Sequence, residues 1–418
     1  MSLVSRKWSE VFGPPPGCET FKFALTKSQL SMDTLPGIEF VHEYSRTFLH
    51  VEIEYIHGSE KQPFIKRFCR HFIVFLQILT RNSQLISVKF LNLSDCFEHM
   101  DTPTYAYICR IIIDFIGSQH RLRQVEFRNC FFRFHEGVEL LRKLTENSRE
   151  SLTHLVLLEF IRYEPMDKVI SSFHDSLVIS PSTAVQNLPL LVDLPSLITL
   201  DIDYSFIFEN MVARHSTAIQ TVKNCQTLVL SKIVLHYDNQ IVPIEVCRGL
   251  TSTNWRFLKI SFPDLQVELI IDISHASWRE VEFLIVPNMP ITGLKYHCYN
   301  SDMEIEIGVL LGHLLACKTN DHMVSLHFDW LLPIQDLVST FPPFLQACRK
   351  LKRLELFVAY PANGIDLLMQ SWLENQPESL EEVLIHISEI EEEDAYANSM
   401  ILASELKLRG LNVEVDFW

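Results

Sequence analysis

The chain is short of glycine. Only 12 of its 418 residues are Gly. No two of them lie two apart, so the phosphate-cradling G-x-G-x-x-G turn is excluded. No Gly is followed by Lys, which excludes a P-loop. The two Gly pairs four apart enclose Pro15 and Leu310, so there is no G-x-S-x-G nucleophile elbow. Positive charge is also scarce. There are 36 Lys and Arg against 52 Asp and Glu, a net charge of −16. A general nucleic-acid or anionic-membrane binder needs the opposite balance, so neither partner is expected.

No C-x-x-C pair occurs among the 10 cysteines. Scattered thiols in a chain of this length are expected to be reduced and mostly buried, in a cytoplasmic or nuclear protein. No apolar run approaches ~18 residues without a charge, and the longest, Phe72–Leu79 and Ile307–Cys317, are too short to span a membrane. Met1-Ser2-Leu3-Val4 runs straight into Arg6-Lys7, so no secretory leader is expected. Hydrophobic residues at 47% and charged residues at 21% are an ordinary globular balance.

Metal and catalytic patterns fail on single residues. His135-Glu136-Gly137-Val138-Glu139 has Glu where a zinc helix needs its second His, and reads as the polar start of a helix. Asp201-x-Asp203-x-Ser205 opens like a calcium loop, but Phe206 replaces the required Gly and Val212 the bidentate Glu. His297-Cys298, His313 with Cys317, and His322 with His327 lack further ligands, so structural burial is expected. Neither catalytic residues nor a metal or cofactor is expected, and the chain reads as a non-enzyme.

What is abundant is one short phrase: apolar, two residues, apolar, one residue, apolar. Strong copies are Leu122/Val125/Phe127, Leu152/Leu155/Leu157, Leu197/Leu200/Ile202, Trp255/Leu258/Ile260, Met323/Leu326/Phe328, Leu351/Leu354/Leu356 and Leu380/Val383/Ile385. Weaker ones are Phe48/Val51/Ile53, Leu85/Val88/Phe90, Cys225/Leu228/Leu230, Trp278/Val281/Phe283 and Ile291/Leu294/Tyr296. The steps between their middle residues are 37, 37, 30, 45, 28, 30, 23, 13, 32, 28 and 29. Only the step of 13 is too short for a strand, a crossover and another strand; one of Val281 and Leu294 is expected on an added strand or hairpin.

Amphipathic helical patterns fill the gaps. Phe64, Phe68, Phe72, Phe75, Leu76 and Leu79 recur at spacings of three and four, as do Ile108, Ile112, Phe115 and Ile116. Leu337–Leu345 and Ile365–Leu373 repeat the habit. A strand and a helix every 30 residues or so cannot bury their apolar faces alone, and stacking neighbours does so. The fold class expected is therefore α/β, a leucine-rich-repeat solenoid with a curved parallel sheet on the concave side and helices on the convex side. A regular repeat places Asn or Cys three residues after the last apolar position. Cys130 fits, whereas Ser205, Pro263 and Ala359 do not, so no asparagine ladder and irregular turns are expected.

Gly13-Pro14-Pro15-Pro16-Gly17 can be neither helix nor central strand. It separates a short N-terminal piece, residues 1–12, from a linker at 13–40 and an array at 41–418. The 45-residue step, with Pro165, Pro181, Pro189 and Pro195, is a candidate break at 165–195.

The N-terminal piece, Val4-Ser5-Arg6-Lys7-Trp8-Ser9-Glu10-Val11, follows the line V-C-[RK]-[RK]-W-x-x-[LVI] that closes an F-box. With repeats behind it, and with the aromatic, charge-interleaved stretch His42–Ile53, the chain resembles the animal F-box-only group with degenerate leucine-rich repeats. The match covers the last dozen residues of an F-box of roughly fifty. The chain therefore reads as starting near the box's end, without the helices that give most adaptor contact. The resemblance implies the substrate-recognition subunit of an SCF-type cullin–RING ubiquitin ligase. Leu3, Val4 and Trp8 would touch the Skp-type adaptor that carries the cullin, and the repeat array would hold a protein substrate. The alternative is a repeat scaffold that binds proteins without any ligase.

Alternate residues of a parallel strand point to opposite faces. The residues between the apolar positions are therefore expected on the concave face: Glu126 and Arg128, Asp201 and Asp203, Lys259 and Ser261, Lys295 and His297, His327 and Asp329, Glu355 and Phe357, Leu384 and His386. Leu158, Phe357 and Leu384 are apolar where solubility favours polar groups. They suit an interface centre or cover by a loop or a neighbouring helix. The acidic tract Glu378–Asp394 reads as a helix start plus a solvated strand face, with docking of a basic partner as the alternative.

Overall fold

The computed structural model describes residues 19–25, 36–56, 62–162, 189–191, 194–211, 229–274, 278–298, 307–330, 337–359, 364–388 and 393–417. The chain forms two compact units. The first is Met1–Asp201 with Glu209–Leu230, and the second is Ile202–Phe208 with Ser231–Trp418.

The first unit contains strands β1 (Thr20–Ala24), β2 (His50–Glu54), β3 (Ser87–Leu91), β4 (Gln124–Arg128) and β5 (His154–Leu158). Each lies parallel beside the next in chain order. Register brings Phe23, Ile53, Phe90, Phe127 and Leu157 into one cross-strand row, all buried. The start of β6 (Thr199–Asp203) joins β5, where the amides of Ile198 and Thr199 donate to Thr153 O at 2.8 and 3.1 Å. Helices α1 (Pro36–Tyr44), α2 (Gln62–Asn82), α3 (Ser94–Glu98), α4 (Thr102–Ser118) and α5 (Phe134–Asn147) fill the crossovers.

The apolar stripes of these helices cover the buried strand face. On α2, Phe68, Phe72 and Phe75 meet Phe23 of β1. On α4, Phe115 meets Phe90 edge-on at 6.3 Å. Helix α4 starts where the Asp101 carboxylate caps the Thr104 amide at 2.9 Å, beside Pro103 in the first turn. Each fully buried Phe is worth roughly 1.5–3 kcal/mol of transfer free energy.

The second unit holds β7 (Lys232–Asp238), β8 (Gln266–Ile273), β9 (Ile291–Cys298), β10 (Ser325–Trp330), β11 (Arg353–Ala359), β12 (Glu382–Ser388) and β13 (Asn412–Phe417). All neighbours are again parallel and in chain order. Helices α6 (Ser252–Ser261), α7 (Trp278–Leu284), α8 (Ile307–Ala316), α9 (Leu337–Ala347), α10 (Ile365–Glu374) and α11 (Glu393–Leu408) alternate with them. Among the described residues, no helix is long and apolar enough to cross a membrane.

The architecture is α/β with parallel strands in sequence order. Nine of the phrases read from sequence fall on or into strands β2–β6 and β9–β12. Two do not. Trp255/Leu258/Ile260 lies on α6 and Trp278/Val281/Phe283 on α7. The first two apolar residues of the phrase are three apart, which also suits one helix face. At α6 a capping box settles the choice: Thr251 and Asn254 bond each other's backbone amides at 3.3 and 2.9 Å. The strands of this region are instead β7 and β8. The remaining phrase, Cys225/Leu228/Leu230, falls partly outside the described residues, and its described end is not a strand. Two further differences concern the ends: β1 lies within the stretch read as a linker, and β13 was not anticipated. The stretch 165–195 lies mostly outside the described residues.

The turns of the first unit are more regular than expected. Asn92, Asn129 and Glu159 follow β3, β4 and β5 with φ of 58°, 51° and 49°. This left-handed conformation suits Asn among non-glycine residues. The Asn129 amide nitrogen donates to Asn92 Oδ1 at 3.3 Å, and Cys130 Sγ reaches Phe90 O at 3.5 Å. A short stack of turn residues therefore exists here, where no asparagine ladder was expected. It uses the position two residues after the strand's last apolar residue as well as the third.

Candidate functional site

Because strand side chains alternate, each unit has a strand face turned away from its helices. In the first unit, Lys22, Glu52, Lys89 and Glu126 share one cross-strand row on that face. Their signs alternate, and they pair. Lys22 lies 2.7 Å from Glu52 and 2.6 Å from Glu54, and Lys89 lies 3.0 Å from Glu126. Arg128 bonds Glu126 and reaches Asp201 at 3.5 Å. Glu126 is buried, which by itself would raise its pKa. The hydrogen bonds from Arg128 and Lys89 outweigh that, and the carboxyl sits below the usual range.

The corresponding face of the second unit carries a different chemistry. One row runs Asp238, Asp272, His297, Asp329, Phe357, His386, Asp416 from β7 to β13. The next runs His236, Ile270, Lys295, His327, Glu355, Leu384, Glu414. Rings adjoin along the sheet: His297–His327 at 4.7 Å and His327–Phe357 at 5.2 Å are tilted, and Phe357–His386 at 4.0 Å is stacked. Carboxylates interleave with them. His297 Nδ1 lies 3.5 Å from Asp329, His327 Nδ1 2.9 Å from Glu355, and His386 3.6 Å from Glu355 and 3.5 Å from Asp416. Burial lowers the pKa of His327 despite the opposing pull of Glu355, so the ring is neutral at pH 7.

Beside these rows, Glu268 holds Lys232 at 2.9 Å and Lys295 at 3.3 Å. Its stem lies over Gly293, where an added Cβ would meet Glu268 Cγ at 3.3 Å and Ser325 Oγ at 3.0 Å. The absence of a side chain at 293 gives Glu268 its place between the two lysines.

Most residues assigned from sequence to the strand faces of the two units lie on strands with the expected phase: Arg128 and Asp201 in the first, and Asp203, His327, Asp329, Glu355, Phe357, Leu384 and His386 in the second. Phe357 and Leu384 are half-buried, while Leu158 is buried. Lys259 is a correction. It lies on α6, with its ammonium 3.4 Å from His322 Nε2, because the capping box makes this segment helical. Leu3, Val4 and Trp8 lie outside the described residues. Asp272, Glu268, Glu414 and Asp416 were missed because β8 and β13 were missed. Their signal was the alternation in Gln266–Ile273 and Asn412–Phe417.

The other expected clusters are structural. His313 Nε2 lies 2.8 Å from Ile285 O, and Cys317 Sγ lies 3.5 Å from the same nitrogen. His135 and Glu136 open α5. At the front of the acidic tract, Glu381 pairs with Lys352 at 2.8 Å and Glu382 with Arg353 at 2.5 Å. Among the described residues, no group of three His, Cys, Asp or Glu could hold a metal ion. Burial pushes the Cys109 and Cys348 thiols up to about 12, far from nucleophilic. The arrangement is a strand face in register, mixed in charge, ring and aliphatic groups.

No protein-family model matches the chain, and no curated protein matches it significantly.

Proposed function

We propose that this chain is a leucine-rich-repeat protein receptor, the substrate-recognition subunit of an SCF-type cullin–RING ubiquitin ligase. The observation that carries the receptor part is the open strand face, where side chains of consecutive parallel strands stand in register. Such a face offers the ~800 Å² per partner that a specific protein contact needs. The ligase part is supported by Val4–Val11, which resembles the closing helix of an F-box. In this reading Leu3, Val4 and Trp8 meet the Skp-type adaptor. The receptor makes and breaks no bonds; by holding the target it raises the effective concentration of target lysines at the ubiquitin-loaded enzyme.

The test is co-purification of the full chain with the Skp-type adaptor and cullin, against a Leu3→Ala/Trp8→Ala variant. Recovery that the variant loses supports the ligase reading, and no recovery of either protein overturns it. A scaffold without a ligase is the second reading. It is favoured by the fact that, among the described residues, the strand face is assembled from Thr20 onward.

A further inference from the structure

The basic residues of the second unit's open face are already engaged. Lys232 and Lys295 both turn to Glu268, and Arg353 turns to Glu382. The ion contacts of Asp329, Glu355 and Asp416 are instead made with imidazoles. Glu414 and Asp416, on β13, are exposed. Between them and the carboxylates of β10 and β11 lie two apolar groups. Phe357 stands beside Asp329 in one row, and Leu384 stands between Glu355 and Glu414 in the other. With strands about 4.8 Å apart, Glu355 and Glu414 are roughly 10 Å apart across Leu384.

We propose that the open face of β10–β13 docks a lysine- or arginine-bearing segment of a partner protein. Aliphatic stems would lie on Leu384 and the edge of Phe357, while the cationic heads reach Asp329, Glu355, Glu414 and Asp416. Charge complementarity selects this occupant. Among the described residues of this face, the carboxylates Asp329, Glu355, Glu382, Glu414 and Asp416 outnumber the single guanidinium of Arg353, and ammonium and guanidinium groups are donors only. Lysine and arginine stems also cover apolar surface while their heads stay at the acidic rim. The paired row Lys22–Glu52–Lys89–Glu126 of the first unit has no such excess and is not part of the site. The inference rests on the protein-receptor reading and adds to it the class of segment recognised.

The experiment is fluorescence anisotropy on the full chain with two labelled twelve-residue probes. One alternates Arg and Lys with Ser and Gly, and the other replaces every basic residue with Glu. The variant E355Q/E414Q/D416N neutralises the face. A control, E139Q/E146Q/E150Q, removes the same charge from the exposed α5 region, so loss of net charge alone affects both equally. The wild-type chain is expected to bind the basic probe only. The face variant should weaken it about tenfold and the control less than twofold. Asp416→Asn alone, at an exposed edge, should weaken it about two- to threefold and covers the case in which the triple variant is unstable.

Three results would overturn the inference: no binding of the basic probe, equal losses in both triple variants, or equal binding of the acidic probe. Adaptor co-purification on the same variants separates the two claims. A wild-type chain that recovers the adaptor but does not bind the basic probe tells against this site. The reverse tells against the ligase reading.

Discussion

The ring of Phe357 lies 4.0 Å from that of His386, with the two planes 15° apart, on neighbouring parallel strands β11 and β12. A stacked pair in direct register stiffens the open face, because each ring restricts the rotamers of the other. Stacked aromatic pairs contribute roughly 0.5–1.5 kcal/mol beyond their buried area. Phe357→Ala should therefore lower the stability of the second unit by about 1–2 kcal/mol, and Phe357→Tyr should restore most of it. Urea unfolding followed by circular dichroism measures both. An unchanged midpoint for the Ala variant would mean that the stack carries no load.

The first unit contains a buried ring cluster. Phe127 is fully buried and meets Phe90, Phe132 and Phe160 at centroid distances of 5.1, 5.9 and 5.1 Å. Phe127→Ala should cost about 3–5 kcal/mol, and Phe127→Leu distinctly less. Equal costs, read from the same unfolding curves, would show that the cavity term is absent.

Glu126 makes a pH prediction with a definite sign. Its folded pKa lies below the ordinary 4.5 because Arg128 and Lys89 hold the charged form against the effect of burial. Its contribution to stability is therefore fully present above pH 4.5 and is lost as pH falls through the lower folded value. The stability difference between wild type and Glu126→Gln should be constant above about pH 5 and shrink below it. A difference that grows on acidification would contradict the assignment.

Asn129 tests the turns. At φ 51° it occupies the left-handed region and accepts a hydrogen bond from Ser94 Oγ at 2.6 Å. Asn129→Val should destabilise by about 1–3 kcal/mol, since a β-branched residue is strained there. Asn129→Gly, free of that strain but without the bond, should lose about 1 kcal/mol. If Val is tolerated as well as Gly, the left-handed turn is not what selects Asn.

The legible part of the fold is the part with two independent signals. Strands such as β4 and β11 have the apolar phrase and an amphipathic helix on either side, and they stand where expected. Trp255 and Trp278 carry the phrase alone, and there the three-residue spacing served a helix. Strands β7 and β8 carry the same spacing as Leu230/Ile233/Leu235 and Phe262/Leu265/Val267, but the competing copies Cys225/Leu228/Leu230 and Trp255/Leu258/Ile260 just upstream stood in their place. The face followed the strands. His327, Glu355 and Phe357 were readable from alternation, whereas Asp416 and Glu268 disappeared with their strands. The pairing of imidazole with carboxylate was not readable at all, since it depends on register between segments about 30 residues apart.

The central claim is tested most directly by tagging the full chain, recovering it from cells, and quantifying the Skp-type adaptor and cullin against Leu3→Ala/Trp8→Ala. The account predicts that both proteins co-purify with the wild-type chain and that the variant recovers at least several-fold less of each. Recovery of neither protein by the wild-type chain would contradict it.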